Sequence, residues 1–274
     1  MLYIVGTPIG NMKDITLRAL EVLRSVDEIG CEDTRHTLGL LNAYEIKKPL
    51  FACHKFNERS ASEKIIEKLK SGKNIAIVTD AGMPLISDPG CLIVKSLIEN
   101  GLEYTVIPGA TAFVCALIMS GLLDYRFSFI GFLPDKNAEC KKLLKKYENA
   151  DCPLVFYCAP HDVDETVKRL YNAFGNRKAV CVREITKTFE QRVEFELENG
   201  YNGEKKGEFV IIVDGAKETE TKVEMPVNEH IALYLAKGYT KKDAIKAVAK
   251  DRGVTKNEIY MQAIDSDESG GGDQ

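Results

Sequence analysis

"NIAIVTDAGMPLISDPG", Asn74 to Gly90, joins an apolar run to a loop with more constraints than a turn needs. Asn74–Thr79 is β-branched and reads as a strand. Asp80 ends it, Gly82 permits close backbone approach, and Pro84 and Pro89 stiffen the loop. Asp88 before Pro89 is a turn-initiating pair. An elaborate turn is the plain alternative, but stiffness suits a preorganised small-molecule site.

Similar runs recur on both sides of this one, at Tyr3–Gly6, Glu28–Cys31, Pro49–Cys53 and Glu103–Ile107. Helical patterns lie between most of them. "ITLRALEVLRSV" places Leu17, Leu20, Val22, Leu23 and Val26 on one face. "SASEKIIEKLKSG" has Ser60 and Glu63 at capping-box spacing and Gly72 at its close. Strands alternating with helices predict crossover units in a mostly parallel sheet. Ligands of such sheets bind outside the carboxyl ends of the strands. An apolar helix is expected from about Ala110 to Gly121.

Beyond it the pattern changes. Strands at "FSFIGFLP", "PLVFYCAP", "KAVCVREI", "TFEQRVEFEL" and "GEFVIIVDG", with helices at "NAECKKLLKKYEN" and "DVDETVKRLYNAF", predict a mixed α+β second lobe. The expected organisation is an α/β lobe over 1–121, the second lobe over 122–215, a Thr/Glu-rich linker over 216–226, a helical domain over 227–264 and an acidic, Gly-rich disordered tail over 265–274. Within the helical domain, Thr240 with Asp243 and Thr255 with Glu258 have capping-box spacing and predict a two-helix hairpin of helix-turn-helix size.

The 274 residues carry a net charge of −4, which argues against a body coated in positive charge for nucleic acid, though not against a local basic patch. Eight cysteines form no C-x-x-C pair and read as buried reduced thiols. No metal site is expected. No run is long enough to span a bilayer, and "MLYIVGTPIG" lacks a basic n-region, so a cytoplasmic protein is expected.

The strand-end loops are the candidate chemistry. "VGTPIGN" lacks dinucleotide spacing, and Pro8 removes a donor that a phosphate cradle would use. "CEDTRHT" crowds Glu32, Asp33, Arg35 and His36 into one short loop. "HKFNE" offers His54 and Asn57 to phosphate or sugar oxygens. "VIPGATA" delivers Thr111 to a helix start. "REITKTFE" brings Arg183, Glu184 and Lys187 from the second lobe.

Taken together, "LYIVGTPIGNMKDITLRAL", "CEDTRHT", "TDAGMPLISDPG", "FIGFLPDK", "REITKTFE" and "KGEFVIIVDG" resemble the ribosomal small-subunit RNA methyltransferase I family, a branch of the tetrapyrrole methylases. The resemblance covers Leu2 to about Gly215, and more loosely Thr240–Ile264. It implies a two-lobed tetrapyrrole methylase-like fold binding S-adenosylmethionine in a cleft. It also implies methyl transfer to the ribose 2′-oxygen of a cytidine in the decoding region of 16S rRNA, within the small ribosomal subunit, by a homodimer. By matching motif the cofactor residues are Pro8, Asp80, Gly82, Met83, Pro84, Ile86, Thr111 and Ala112, with Tyr157, Gly207 and Glu208 from the second lobe. The sequence departs from the family at Met83, usually Thr, at Ala110, usually Pro, and at Cys158, Ala159 and Asp162.

A ribose hydroxyl is a poor nucleophile and needs a base or a charge-stabilising neighbour. Asp33 or Glu184 is the expected base, with Arg35 and Lys187 orienting phosphate or sugar. RNA contacts are expected at His54, Asn57, Lys141 and Lys142, with Lys145 and Lys146 adjacent, and at Lys241 and Lys242. The rival readings are a small-molecule methylase of the same superfamily and a ligand-sensing regulator that binds DNA through the hairpin.

Overall fold

The computed structural model describes residues 1–54, 57–87, 91–216 and 225–268. These fall into two compact units, Met1–Ala216 and the residues after it. Asp88, Pro89 and most of the expected linker, residues 217–224, lie outside the described residues. No described helix is long and apolar enough to cross a membrane.

The first unit opens with β1 (Leu2–Val5), α1 (Leu17–Ser25), β2 (Glu28–Cys31), α2 (Thr34–Ala43), β3 (Leu50–Ala52), α3 (Glu58–Lys70), β4 (Ile75–Ile77), α4 (Cys91–Glu99) and β5 (Tyr104–Ile107). The five strands form one sheet in the order β3-β2-β4-β1-β5, every pairing parallel. Alternate side chains explain its two cores. Leu2, Ile4, Ile75 and Ile77 pack against Ile65, Ile66 and Leu69 of α3 and Ile93 and Leu97 of α4. Val5, Ile29, Ala76 and Val78 pack against Ala19 and Leu23 of α1 and Leu41 of α2. A fully buried Leu or Ile here contributes on the order of 1.5–3 kcal/mol over an exposed one.

Two local expectations shift. The charged stretch at Glu32–Thr37 is mostly helix rather than loop. Asp33 N-caps α2, its Oδ1 accepting the Arg35 amide at 2.8 Å. α3 opens at Glu58, two residues before the capping box expected at Ser60. Asn57 closes a turn there: its amide donates to the His54 carbonyl at 3.0 Å and its Oδ1 accepts the His54 amide at 2.8 Å. The Ser60 hydroxyl donates back to the Asn57 carbonyl instead of capping.

Then come α5 (Ala112–Ser120), β6 (Ser128–Phe132), α6 (Asn137–Leu144), β7 (Leu154–Cys158), α7 (Val163–Phe174), β8 (Lys178–Arg183), β9 (Gln191–Glu196) and β10 (Phe209–Val213). The second sheet runs β6-β7-β10-β8-β9, parallel only between β6 and β7. Phe156, Cys181 and Ile211 face α6 and α7 through Leu144, Val167 and Leu170. Val155, Val180, Val182, Val210 and Ile212 face Ala116 and Leu117 of α5. The second sheet therefore takes a covering helix from before residue 121.

The described residues of the second unit form three helices, α8 (Val227–Ala236), α9 (Lys241–Asp251) and α10 (Lys256–Glu268), around Ile231, Ile245, Val248 and Ile259. The expected hairpin is α9 with α10. The box at Thr255 and Glu258 forms, with Thr255 N donating to Glu258 Oε2 at 3.0 Å and Glu258 N to Thr255 Oγ1 at 3.3 Å, while at Thr240 the hydroxyl accepts the Asp243 amide at 3.3 Å and itself donates to Asp243 Oδ2 at 2.6 Å. α8 goes beyond the expected hairpin; it lacks a capping side chain, and Pro226 stands at its N-cap. α10 runs to Glu268, into the stretch expected to be disordered, because no glycine interrupts propagation before Gly270. Residues 269–274 lie outside the described residues.

Candidate active site

The loops after β1, β2, β4 and β5 are tied into one floor by backbone contacts. Thr7 N donates to Gly82 O at 2.9 Å, and Gly82 N returns to Thr7 O at 3.2 Å. The buried Thr7 hydroxyl donates to Thr79 O at 3.2 Å. The Asp33 amide donates to Asp80 Oδ1 at 3.3 Å, joining the second loop to the fourth. Gly6 and Gly109 join the first to the fifth. A Cβ on Gly6 would lie 2.8 Å from the Gly109 Cα and 2.7 Å from Met83 Sδ, so only glycine allows this approach.

Strain concentrates in the same region. Leu85, Ser87, Glu184 and Thr186 take left-handed φ of 73°, 64°, 51° and 67°, four of the five described non-glycine residues that do so. Each costs on the order of 1–2 kcal/mol, which the surrounding contacts must offset.

Over this floor lies a cavity of 410 Å³. Ile9, Glu32, Thr79–Met83, Ile86, Ser87, Thr111 and Ala112 line it from the first sheet's side. Phe132, Tyr157–Pro160, Ile185 and Glu208–Val210 line it from the second. The wall is mainly apolar, with carboxylates at Glu32, Asp80 and Glu208. Thr111 is the N-cap residue of α5 and makes no side-chain cap bond, so that side chain leaves the helix's first amides free for another acceptor.

Of the residues expected to hold a cofactor, Asp80, Gly82, Met83, Ile86, Thr111, Ala112, Tyr157 and Glu208 share this cavity. Pro8, Pro84 and Gly207 do not line it. Pro8 and Pro84 are buried, and a Cβ on Gly207 would meet Glu184 Oε1 at 2.3 Å. Sequence reasoning gives no role to Ile9, Thr79 or Phe132, and marks Glu32 only as one charge of the loop at Cys31–Thr37.

The four residues expected to carry chemistry flank the cavity rather than line it. Asp33 is held by Arg35, Nη2 to Oδ2 at 2.7 Å and Nε to Oδ1 at 3.2 Å. The Arg35 side-chain bond and then its amide lower the Asp33 carboxyl to about 2. Lys187 Nζ bridges Glu184 at 3.0 Å and Glu208 at 3.2 Å. Burial pushes the Glu184 carboxyl up, but the Glu208 amide and Lys187 outweigh it and hold the group below its usual range. Burial likewise opposes charge on Lys187, and the two glutamates raise it nonetheless. The same turn clasps the first loop, with Asn11 N donating to Thr186 Oγ1 at 3.0 Å.

The RNA candidates scatter. The Asn57 amide group is spent on its own turn, donating to Ala52 O at 3.0 Å while accepting from His54 N. Lys141 and Lys142 are exposed on α6, and Lys141 borders a groove with Lys145 and Arg169. Lys241 and Lys242 are exposed on the first turn of α9 in the second unit. Among the described residues no group of three or more His, Cys, Asp or Glu could hold a metal ion. Cys53 and Cys181 are free thiols; burial pushes Cys53 up to about 11 and Cys181 up to about 12.

Known proteins share this fold. The solved uroporphyrin-III-C-methyltransferase from Thermus thermophilus superposes with a TM-score of 0.56 at 20% identity, over 78% of this chain and 93% of that one. A crystal structure of diphthine synthase does so at 0.57 and 18%, over 78% and 89%. These show a common fold. A family model for Tetrapyrrole (Corrin/Porphyrin) Methylases matches residues 1–199. The ribosomal RNA small subunit methyltransferase I of Bacillus subtilis (strain 168) is 43% identical over 270 residues, 95% of this chain and 92% of its own. That of Haemophilus influenzae is 41% identical over 269 residues, 95% of each chain. The chain belongs to the tetrapyrrole methylases and, within them, to the ribosomal RNA small subunit methyltransferase I family.

Proposed function

We propose that this protein is an S-adenosylmethionine-dependent methyltransferase that modifies the ribose 2′-oxygen of a cytidine in the decoding region of 16S rRNA, acting on the small ribosomal subunit. The supporting observation is the 410 Å³ cavity at the carboxyl ends of the parallel strands, in a chain of this family. Its size suits a ligand site of about 300–1,000 Å³.

The residues present fit the cofactor. Ile9, Met83, Ile86 and Tyr157 offer apolar wall for a ring and a thioether chain. Thr111 and Ala112 present the start of α5, where backbone amides and the helix dipole favour a carboxylate. Asp80, Glu32 and Glu208 offer acceptors for ammonium or hydroxyl groups. When bound, the cofactor supplies an electrophilic methyl group on a sulfonium.

The chain must place the 2′-oxygen in line with that methyl, exclude water and take up the hydroxyl proton. Asp33 and Glu184, the expected bases, are made weak bases by Arg35, by Lys187 and by the Glu208 amide, and neither lines the cavity, so we give them a positioning role. Asp33 fixes Arg35 near the cleft, and Glu184 with Lys187 aims Glu208. Proton uptake then falls to a wall carboxylate outside these two ion pairs, Glu32 or Asp80. Arg35 and Lys187 keep the task of orienting phosphate or sugar. A homodimer in the cytoplasm completes the proposal.

Incubation with methyl-labelled cofactor and unmodified small subunits, followed by mapping of the label, tests this. Label on a ribose of one cytidine in the decoding region is the expected result. Label on a base, on protein or on a tetrapyrrole would replace the reading.

A further inference from the structure

We propose that Phe132 is the platform on which the base of the target nucleotide stacks, an inference that rests on the rRNA reading above. In a regular strand, residues three apart point to opposite faces. Phe129 and Phe132 do not. Opposite β7 the register runs Phe129↔Val155, Gly131↔Phe156 and Phe132↔Tyr157, with a shift between Phe129 and Gly131. Gly131 takes φ 77°, a conformation that glycine adopts without strain. This bulge brings both rings onto Tyr157, at centroid distances of 5.1 Å and 5.4 Å. Bulges beside active sites re-aim a side chain in this way.

The two rings then meet different fates. Phe129 is half-buried and stacked on Phe113 at 4.3 Å. Phe132 lines the cavity yet stays 58% exposed. The loop carrying Ile86, also a cavity residue and 43% exposed, lies beside it: a Cβ on Gly131 would be 3.0 Å from Ser87 Oγ. One rim of the cavity thus presents an aromatic face and an aliphatic side chain to solvent, with Tyr157 fixing the aromatic one from behind. Enzymes that act on a nucleotide draw it out of its stack and receive the base on such faces. The deeper wall, where Ile9 is 6% exposed, is the better lining for an enclosed cofactor.

The test compares Phe132→Ala, Phe132→Leu and Phe132→Trp in the full chain, reading kcat/KM on unmodified small subunits, calorimetric affinity for S-adenosylhomocysteine, and Tm. The alanine and leucine variants should lose about 5- to 100-fold in kcat/KM, with cofactor-product affinity held within about twofold, while tryptophan retains most activity. An alanine or leucine variant as active as wild type would overturn the proposal. So would a parallel loss of S-adenosylhomocysteine affinity, which would place the ring against the cofactor. If wild type transfers no label to rRNA while binding S-adenosylhomocysteine, the rRNA reading fails and takes this proposal with it.

Discussion

At the scale of single residues, the cavity depends on contacts too close to tolerate a methyl group. Gly6→Ala would drive a Cβ to 2.7 Å from Met83 Sδ and 2.8 Å from the Gly109 Cα. Overpacking of this kind costs about 1–3 kcal/mol. Denaturant unfolding should show that loss, and cofactor affinity should fall with it, because the two loops that would part both belong to the floor. Glu184 makes a second case. Its carboxyl is held below the usual value, so the unfolded chain binds a proton more readily than the folded one. Its contribution is complete above about pH 4.5 and fades as pH falls through the lower folded value. Glu184→Gln should therefore destabilise by about 1–3 kcal/mol at pH 7, leaving Lys187 with Glu208 alone. The gap to wild type should narrow below pH 4.5; a gap independent of pH would show that the carboxylate's charge is not what matters. Such roles are only partly legible in the sequence. It places Glu32 beside Asp33, but only the cap of α2 decides that Asp33 turns to Arg35 while Glu32 lines the cavity.

At the scale of elements, the sequence is most legible where hydrophobic period and flanking turns agree. Each of the ten described strands lies within or overlaps a run at which one is expected: β4 and β10 are apolar because they are buried throughout, while β9 alternates Val193 and Phe195 with polar residues. Helix starts are harder, since they depend on which polar side chain reaches an amide. α3 shows this: Ser60 and Glu63 have the spacing of a capping box, yet the turn at Asn57 forms first. Asn57→Ala removes two hydrogen bonds, one to Ala52 O and one from His54 N. It should cost about 1–2 kcal/mol in thermal or denaturant unfolding. Affinity for small subunits, measured below the transition, should hold if the residue is a turn brace. A large affinity loss with unchanged stability would return Asn57 to the RNA contacts. The bulge in β6 is illegible for a related reason. Its Gly131 can be counted, but the register shift it permits is set by β7.

At the scale of the whole molecule, an acidic chain must meet an RNA surface. The net charge of −4 opposes that approach only weakly, because at physiological salt charges are screened over about 8 Å. Local cations then decide, and the described lysine clusters fall in both units: Lys141 and Lys142 on α6, Lys241 and Lys242 on α9. Each ion pair with a phosphate releases a counterion, and the logarithm of affinity falls with the logarithm of salt by about 0.7–0.9 per contact. Neutralising a pair to glutamine should weaken small-subunit binding and flatten that slope by up to about 1.4–1.8, if both lysines reach phosphate. Affinity for S-adenosylhomocysteine should not move, since none of the four lines the cavity. Comparing the two double variants separates the units' contributions. A flatter slope for Lys241→Gln/Lys242→Gln alone would make the helical unit the RNA anchor, and the reverse would give that role to the second sheet's outer helix. If both variants bind less tightly with the wild-type slope, the lysines support structure, and the phosphate contacts must be sought at Arg35 and Lys187 beside the cleft.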